Sequence, residues 1–101
     1  MTKAVYYFVE IMERNGDMEY PSTTLLQTTK RKAKKDIEEY TMEWRSCDED
    51  DWSEADQGYW SCDTLITCDS TVEVEEEDAK ELVRIQQKYK NVNLGFHCNI
   101  I

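Results

Sequence analysis

The sequence predicts an α+β fold, a two-layer sandwich in which an antiparallel sheet of four or five strands carries two helices on one face. Three observations favour this class. Residues 4–12 alternate as a strand does, an Asn-Gly pair follows as a hairpin signal, and two later segments repeat apolar residues at helical spacing. The predicted order is β-β-α-β-β-α, in a single α+β domain that spans residues 1–101.

The first two strands form the predicted hairpin. One face of the first strand carries Val5, Tyr7, Val9 and Ile11, and the other carries Tyr6, Phe8, Glu10 and Met12. Asn15 and Gly16 tolerate the positive φ angles of a tight turn. Pro21 in the return strand has no backbone N–H, so we expect an edge position or a bulge there.

Two helices follow at the predicted positions 30–45 and 76–90. Thr28 or Thr29 caps the first helix, whose apolar stripe is Ala33, Ile37, Tyr40 and Trp44. The second helix has the candidate buried positions Ala79, Leu82, Val83, Ile85 and Tyr89. Between the helices we expect a strand at 59–69, a turn at Asp69-Ser70 and a short strand at 71–74; the tail 91–101 is a fifth strand or a docked segment.

The charge of the chain limits its partners. With 22 acidic and 12 basic residues the net charge is −10, which repels nucleic acid and anionic membranes and attracts basic protein surfaces. No apolar run has the length of a transmembrane helix, and the amino terminus lacks the apolar region of a signal peptide. We therefore expect a cytoplasmic protein of the host cell, with no direct contact to nucleic acid or membrane.

Catalytic motifs are missing from the sequence. His97 is the single histidine, and three glycines leave no phosphate-binding loop, so we predict no enzyme, no catalytic residue and no cofactor. An EF-hand beginning at Asp48 fails because Trp52 and Ser53 stand where an oxygen ligand and glycine are required. We expect no metal and reduced thiols; the alternative, an enzyme or zinc protein using His97 and the thiols of Cys47, Cys62, Cys68 and Cys98, predicts bound zinc.

Two runs of carboxylates hold half of the acidic residues. The first acidic block is Asp48, Glu49, Asp50, Asp51, Glu54 and Asp56; the second is Glu73, Glu75, Glu76, Glu77 and Asp78. With a turn at Asp69-Ser70, both blocks would lie at one end of the sheet and form one negative surface. Aromatic residues beside charge are typical of interface anchors. Trp52 is expected to be exposed, whereas Trp60 and Tyr59 have core positions as their alternative. The predicted partner-binding residues are Asp48, Glu49, Asp50, Asp51, Trp52, Glu54, Asp56, Tyr59, Glu75, Glu76 and Glu77.

A basic run opposes the dipole of the first predicted helix. Its members are Lys30, Arg31, Lys32, Lys34 and Lys35. Two interpretations remain: an anion site at the helix start, or ion pairs with neighbouring acids. We favour the ion pairs because acidic residues are so abundant in this chain.

The N-terminal hairpin "YYFVEIMERNGDMEY", the helix after it and the acidic-aromatic loop before "GYW" resemble small acidic proteins of phages and other mobile elements. These are proteins of the anti-defence type, anti-CRISPR or anti-restriction inhibitors, some of which present carboxylates where a nuclease expects phosphates. The resemblance implies a DNA mimic and assigns no contact residue.

The expected function is therefore a non-enzymatic inhibitor whose acidic-aromatic surface blocks a basic, nucleic-acid-binding site on a host defence complex, as a monomer or homodimer. The alternative is a small adaptor or structural protein that self-associates through an edge strand or its C-terminal tail.

Overall fold

The computed structural model describes residues 3–100, in which six strands form one mixed sheet and two α-helices pack against it. The elements are β1 (Ala4–Asn15), β2 (Met18–Thr29), α1 (Ala33–Glu43), a 3₁₀ turn (Glu49–Asp51), β3 (Trp52–Ser53), β4 (Gly58–Ser61), β5 (Thr64–Val74), α2 (Glu76–Lys88) and β6 (His97–Asn99). The strand order is β3-β4-β5-β1-β2-β6, and every neighbouring pair is antiparallel except β2 and β6. The α+β class is confirmed, whereas the prediction of four or five antiparallel strands is wrong.

The turns of the second half differ from those predicted. The expected strand 59–69 is divided by a tight turn at Cys62-Asp63, which joins β4 to β5. No turn occurs at Asp69-Ser70, because β5 continues along β1 to Val74. Asp69 is the extra residue of a β-bulge, and its carboxylate accepts hydrogen bonds from Arg14 and Thr67 at 2.5 Å each. Asp69, which the sequence predicts as part of a turn, therefore lies in a β-bulge instead.

The helices lie on opposite faces of the sheet, which corrects the prediction that both share one face. Val9 and Ile11 of β1 pack towards α1, in a cluster with Ile37, Tyr40 and Met42. On the other face, side chains of α2 complete a second cluster made of Tyr6, Phe8, Leu25, Ala79, Leu82 and Val83. The physical reason is visible in β1, which is apolar on both faces, as central strands covered on two sides are. The result is three layers.

Helix α1 begins later than predicted, at Ala33 rather than residue 30. Its N-cap is Lys32, which makes no side-chain capping bond. The two threonines predicted as caps act one step earlier: Thr28 donates its hydroxyl to Asp36, and the Thr29 hydroxyl accepts the Lys32 N–H at 3.3 Å. They stabilise the turn that leads from β2 into the helix.

Helix α2 and the tail close the other face. Ala79 is buried as predicted, but Tyr89 lies past the helix end and is 48% exposed, so its predicted burial is wrong. The tail returns as β6 beside β2, and Phe96 packs edge-on against Phe8 with ring centroids 5.9 Å apart. The predicted tail also includes Ile101, which is outside the described residues. Since β6 pairs only with residues 24–26, Pro21 has the predicted edge position.

Within residues 3–100, neither helix combines the length and apolar composition needed to cross a membrane.

Candidate partner-binding site at the edge of the sheet

The first acidic block lies around β3, the outer strand at the edge of the sheet next to α1. Its first part is the 3₁₀ turn, which is closed by a capping box. Asp48 accepts the Asp50 N–H at 2.8 Å, and the Asp51 carboxylate accepts the Asp48 N–H at 2.9 Å. These carboxylates satisfy backbone donors that the turn itself leaves open, which is the usual role of acids at a helix start.

The second part of the block holds two tryptophans in place. Trp52 donates its indole N–H to Glu54 at 2.9 Å, and Trp60 donates to Asp56 at 3.0 Å. Both indoles are 40% exposed, so the prediction for Trp52 is confirmed and the alternative core position of Trp60 is wrong. Tyr59, paired with Trp52 across the β3–β4 ladder, takes the core position and is 9% exposed.

The block therefore contains two kinds of carboxylate. Four of them, Asp48, Asp51, Glu54 and Asp56, accept hydrogen bonds from within residues 48–60. Glu49 and Asp50 accept no side-chain hydrogen bond and form no ion pair with any residue of the 3–100 range. Of the six carboxylates, these two alone have both oxygens free of hydrogen bonds from the described residues.

A cleft of about 460 Å³ lies between this edge and α1, and we call it the edge cleft. Its lining residues are Lys35, Glu38, Glu39, Met42, Glu49, Trp52 and Tyr59. Trp52 and Tyr59 meet edge to face with ring centroids 5.0 Å apart, and with Met42 they supply its apolar surface. The fold thus brings together three residues that the sequence predicts for partner binding: Glu49, Trp52 and Tyr59.

The carboxylates around the cleft act on the groups beside them. Burial raises the pKa of the Tyr59 hydroxyl, and the negative charges of Glu38 and Glu49 raise it further. Burial also raises the pKa of the neighbouring Cys47 thiol, with added contributions from Asp51 and Asp48. Burial is the larger cause of both pKa shifts, and the carboxylates add a smaller effect of the same sign.

The second acidic block lies elsewhere. Tyr59 pairs with Ile66 near the start of β5, whereas Glu75, Glu76 and Glu77 follow its end at Val74. Eight residues of strand separate these positions by roughly 26 Å, so the expected single negative surface is not formed. Glu76 instead pairs with Lys80 at 3.0 Å, which lowers the Glu76 pKa.

The basic run is almost free of the expected ion pairs. Lys35 lies 3.9 Å from Glu39, and the other four side chains have no acidic partner within 4.0 Å in the described part of the chain. Lys30, Arg31 and Lys32 precede α1 rather than forming its first turn. The interpretation as ion pairs therefore holds for Lys35 alone.

The thiols and the histidine are dispersed. Cys47, Cys62, Cys68 and Cys98 are unpaired, and the described residues contain no group of three or more His, Cys, Asp and Glu side chains arranged to hold a metal ion. His97 instead packs against Trp44, with ring centroids 6.0 Å apart.

Four residues of the edge cleft are not in the predicted site: Lys35, Glu38, Glu39 and Met42. Their spacing of i, i+3, i+4 and i+7 places them on one side of α1, and this is the signal that could have found them. Nothing in the sequence shows that this side faces the acidic loop. No family model matches the chain, and neither a curated protein nor a solved structure matches it.

Proposed function

We propose that the protein is a non-enzymatic inhibitor that occupies a basic, nucleic-acid-binding site on a host defence complex of the CRISPR or restriction type. The edge cleft and the first acidic block form the contact surface. The observation that carries this proposal is the combination of unpaired carboxylates with exposed indoles at one edge of the sheet.

Such a surface is matched to a channel that binds phosphates. Lysine and arginine side chains line such channels, and their attraction to fixed carboxylates speeds association and falls with salt. The capping box and the two indole hydrogen bonds hold the loop in one arrangement before it meets a partner. A loop ordered in advance loses less conformational entropy on binding, which favours affinity.

The competing function, self-association through a sheet edge, has less support. β3 and β6 are two and three residues long, so each outer edge offers a short ladder. The longer free stretch of β2 contains Pro21, which lacks a ladder donor. These features are typical of sheets protected against edge-to-edge pairing.

The test uses affinity capture from a bacterial lysate at low salt, followed by a nucleic-acid-binding assay on the captured complex. We expect the protein to reduce that binding, with an inhibition constant that rises steeply with salt. The variant Glu49→Gln/Asp50→Asn should inhibit roughly tenfold less well at low salt and show a shallower salt dependence, because two exposed charges are lost.

The matched control is Asp17→Asn/Asp78→Asn, which removes two exposed charges outside the first acidic block. It should inhibit as the unmodified protein does. Equal losses in both variants would mean that net charge alone acts. Recovery of the protein with only itself, retained through high salt, would refute inhibition and favour the adaptor.

A further inference from the structure

The edge cleft has the chemistry of a site for one kind of side chain. We propose that it binds the guanidinium group of an arginine presented by the protein partner. This inference rests on the proposed function and names the group that the surface recognises. The cleft joins an apolar part, formed by Trp52, Tyr59 and Met42, to carboxylates that belong to two different elements.

Arginine fits this combination better than other side chains. Its planar guanidinium stacks on aromatic rings and also donates paired hydrogen bonds to carboxylates. Glu38 extends from α1 and Glu49 from the 3₁₀ turn, so acceptors approach the cleft from two sides. A lysine ammonium, which is compact and strongly hydrated, gains less from the aromatic surface.

The carboxylates of the cleft are available for this contact. Glu38 and Glu49 are exposed and make no side-chain hydrogen bond or ion pair within residues 3–100. Their charges reach the cleft interior, since both contribute to the raised pKa of Tyr59. A cation between them would meet uncompensated negative charge beside an apolar surface.

Lys35 is a cation that already lines the cleft, and its partner is the third carboxylate there, Glu39, rather than Glu38 or Glu49. Its ammonium lies 3.9 Å from Glu39, while its side chain is 77% exposed. A pair so exposed is weak, so an incoming guanidinium displaces it at little cost. Removal of Lys35 should therefore strengthen arginine binding, which a purely structural role for the cleft would not predict.

The test titrates the protein with N-acetyl-arginine-N-methylamide and follows the Trp52 indole N–H by NMR. The Trp60 indole, on the opposite face of the β3–β4 hairpin, is the internal reference. We expect saturable shifts at Trp52 and none at Trp60. The matching lysine amide should bind more weakly, and the uncharged citrulline amide should not bind.

Variants locate the site. Glu49→Gln should weaken the arginine amide about two- to fivefold, and Lys35→Ala should strengthen it by a similar factor. Asp50→Asn removes the neighbouring free carboxylate outside the cleft and should change little. Equal binding of the lysine or citrulline amide, or equal shifts at both indoles, would overturn the inference.

This experiment needs no partner, so its failure is separable from failure of the proposed function. An arginine amide that does not bind, together with salt-sensitive inhibition that depends on Glu49 and Asp50, removes the arginine site and leaves the inhibitor. Binding of the amide to a protein that captures no basic partner supports the arginine site and removes the inhibitor.

Discussion

The first and second acidic blocks differ in what their carboxylates contact. In the first block, Asp48 and Asp51 accept backbone N–H groups, and Glu54 and Asp56 accept the indole N–H groups of two exposed tryptophans. In the second block, all of the acids except Glu73 of β5 lie at the positive end of α2, and Glu76 pairs with Lys80.

The two acidic runs therefore have different structural roles. Four of the carboxylates in the first block are used to order a loop, and that order fixes where Glu49 and Asp50 point their unused charge. Helix α2 begins without a side-chain cap, since Glu75 makes no capping bond, and the acids of its first turn stabilise it through the helix dipole instead. We therefore expect the first block to govern binding and the second to govern stability.

The largest effect on stability should come from disturbing the β4–β5 pairing, which supports the edge of the sheet where the first block lies. A Cβ at Gly58 would lie 2.6 Å from the Ile66 carbonyl oxygen and 2.7 Å from a Thr67 methyl group. We expect Gly58→Ala to lower the free energy of unfolding by about 3 kcal/mol, because the β4–β5 pairing must shift. Urea unfolding measures it.

The control is Gly16→Ala, where no atom lies within 4 Å of the added Cβ but φ is +60°. Left-handed backbone strain alone should cost about 1 kcal/mol there. If Gly58→Ala lowers the free energy of unfolding no more than Gly16→Ala does, strands β4 and β5 tolerate the added methyl group. The first block would then not depend on the close approach at Gly58.

A smaller effect should separate the two kinds of carboxylate inside the first block. Asp48→Ala removes the acceptor of the Asp50 N–H and should lower the free energy of unfolding by about 1 kcal/mol. Asp48→Asn, which retains an acceptor oxygen, should restore most of that loss. Asp50→Ala should change stability by less than about 0.5 kcal/mol. Thermal and urea unfolding measure all three, and equal losses at Asp48 and Asp50 would contradict the division.

The negative potential of the first block can be measured at Cys47. Because burial and the charges of Asp51 and Asp48 raise its pKa, little thiolate is present at neutral pH. Asp51→Asn should lower that pKa and make alkylation of Cys47 about twofold faster at pH 8. Peptide mapping by mass spectrometry follows the rate.

Cys98 is the internal reference, because burial alone raises its pKa. Glu77→Gln, in the second block, should leave Cys47 unchanged. Acceleration of Cys98 as well in Asp51→Asn would indicate a loosened fold rather than a changed potential.

Sequence reasoning reaches the fold where local signals are strong. The first hairpin, the apolar stripe of α1 and the start of α2 at Glu76 all follow from spacing and turn chemistry. The turn of that hairpin is nevertheless displaced by one residue: Asn15 ends β1, and the two turn residues are Gly16 and Asp17 rather than the predicted Asn15 and Gly16. Sequence reasoning fails at Cys62-Asp63, because a turn that places Cys62 at φ +55° has no glycine or asparagine to mark it. It also fails at Asp69, because a bulge and a turn use the same polar residues.

The site is predicted only in part for a related reason. Glu49, Trp52 and Tyr59 stand out in the sequence because aromatic and acidic residues alternate there. Glu38 and Met42 look like an ordinary helix surface, and only the packing of α1 across from the β3–β4 edge turns them into one side of a cleft. Similarly, no local signal shows which carboxylates receive internal hydrogen bonds.

The smallest predicted effect concerns the pH dependence of the second block. The pair with Lys80 lowers the pKa of Glu76, so its stabilising contribution is present above the ordinary glutamate value of about 4.3 and is lost as pH falls through the lowered pKa. The difference in melting temperature between the unmodified protein and Glu76→Gln should therefore be largest near pH 6 and should shrink towards pH 3. Glu77→Gln removes an equal charge from the same helix turn while the Glu76–Lys80 pair remains, so the unmodified protein and that variant should differ less at pH 6. A gap for Glu76→Gln that stays constant down to pH 3 would mean that the charge of Glu76 contributes nothing to stability. Equal gaps for Glu76→Gln and Glu77→Gln at pH 6 would mean that the second block acts on α2 through the helix dipole alone.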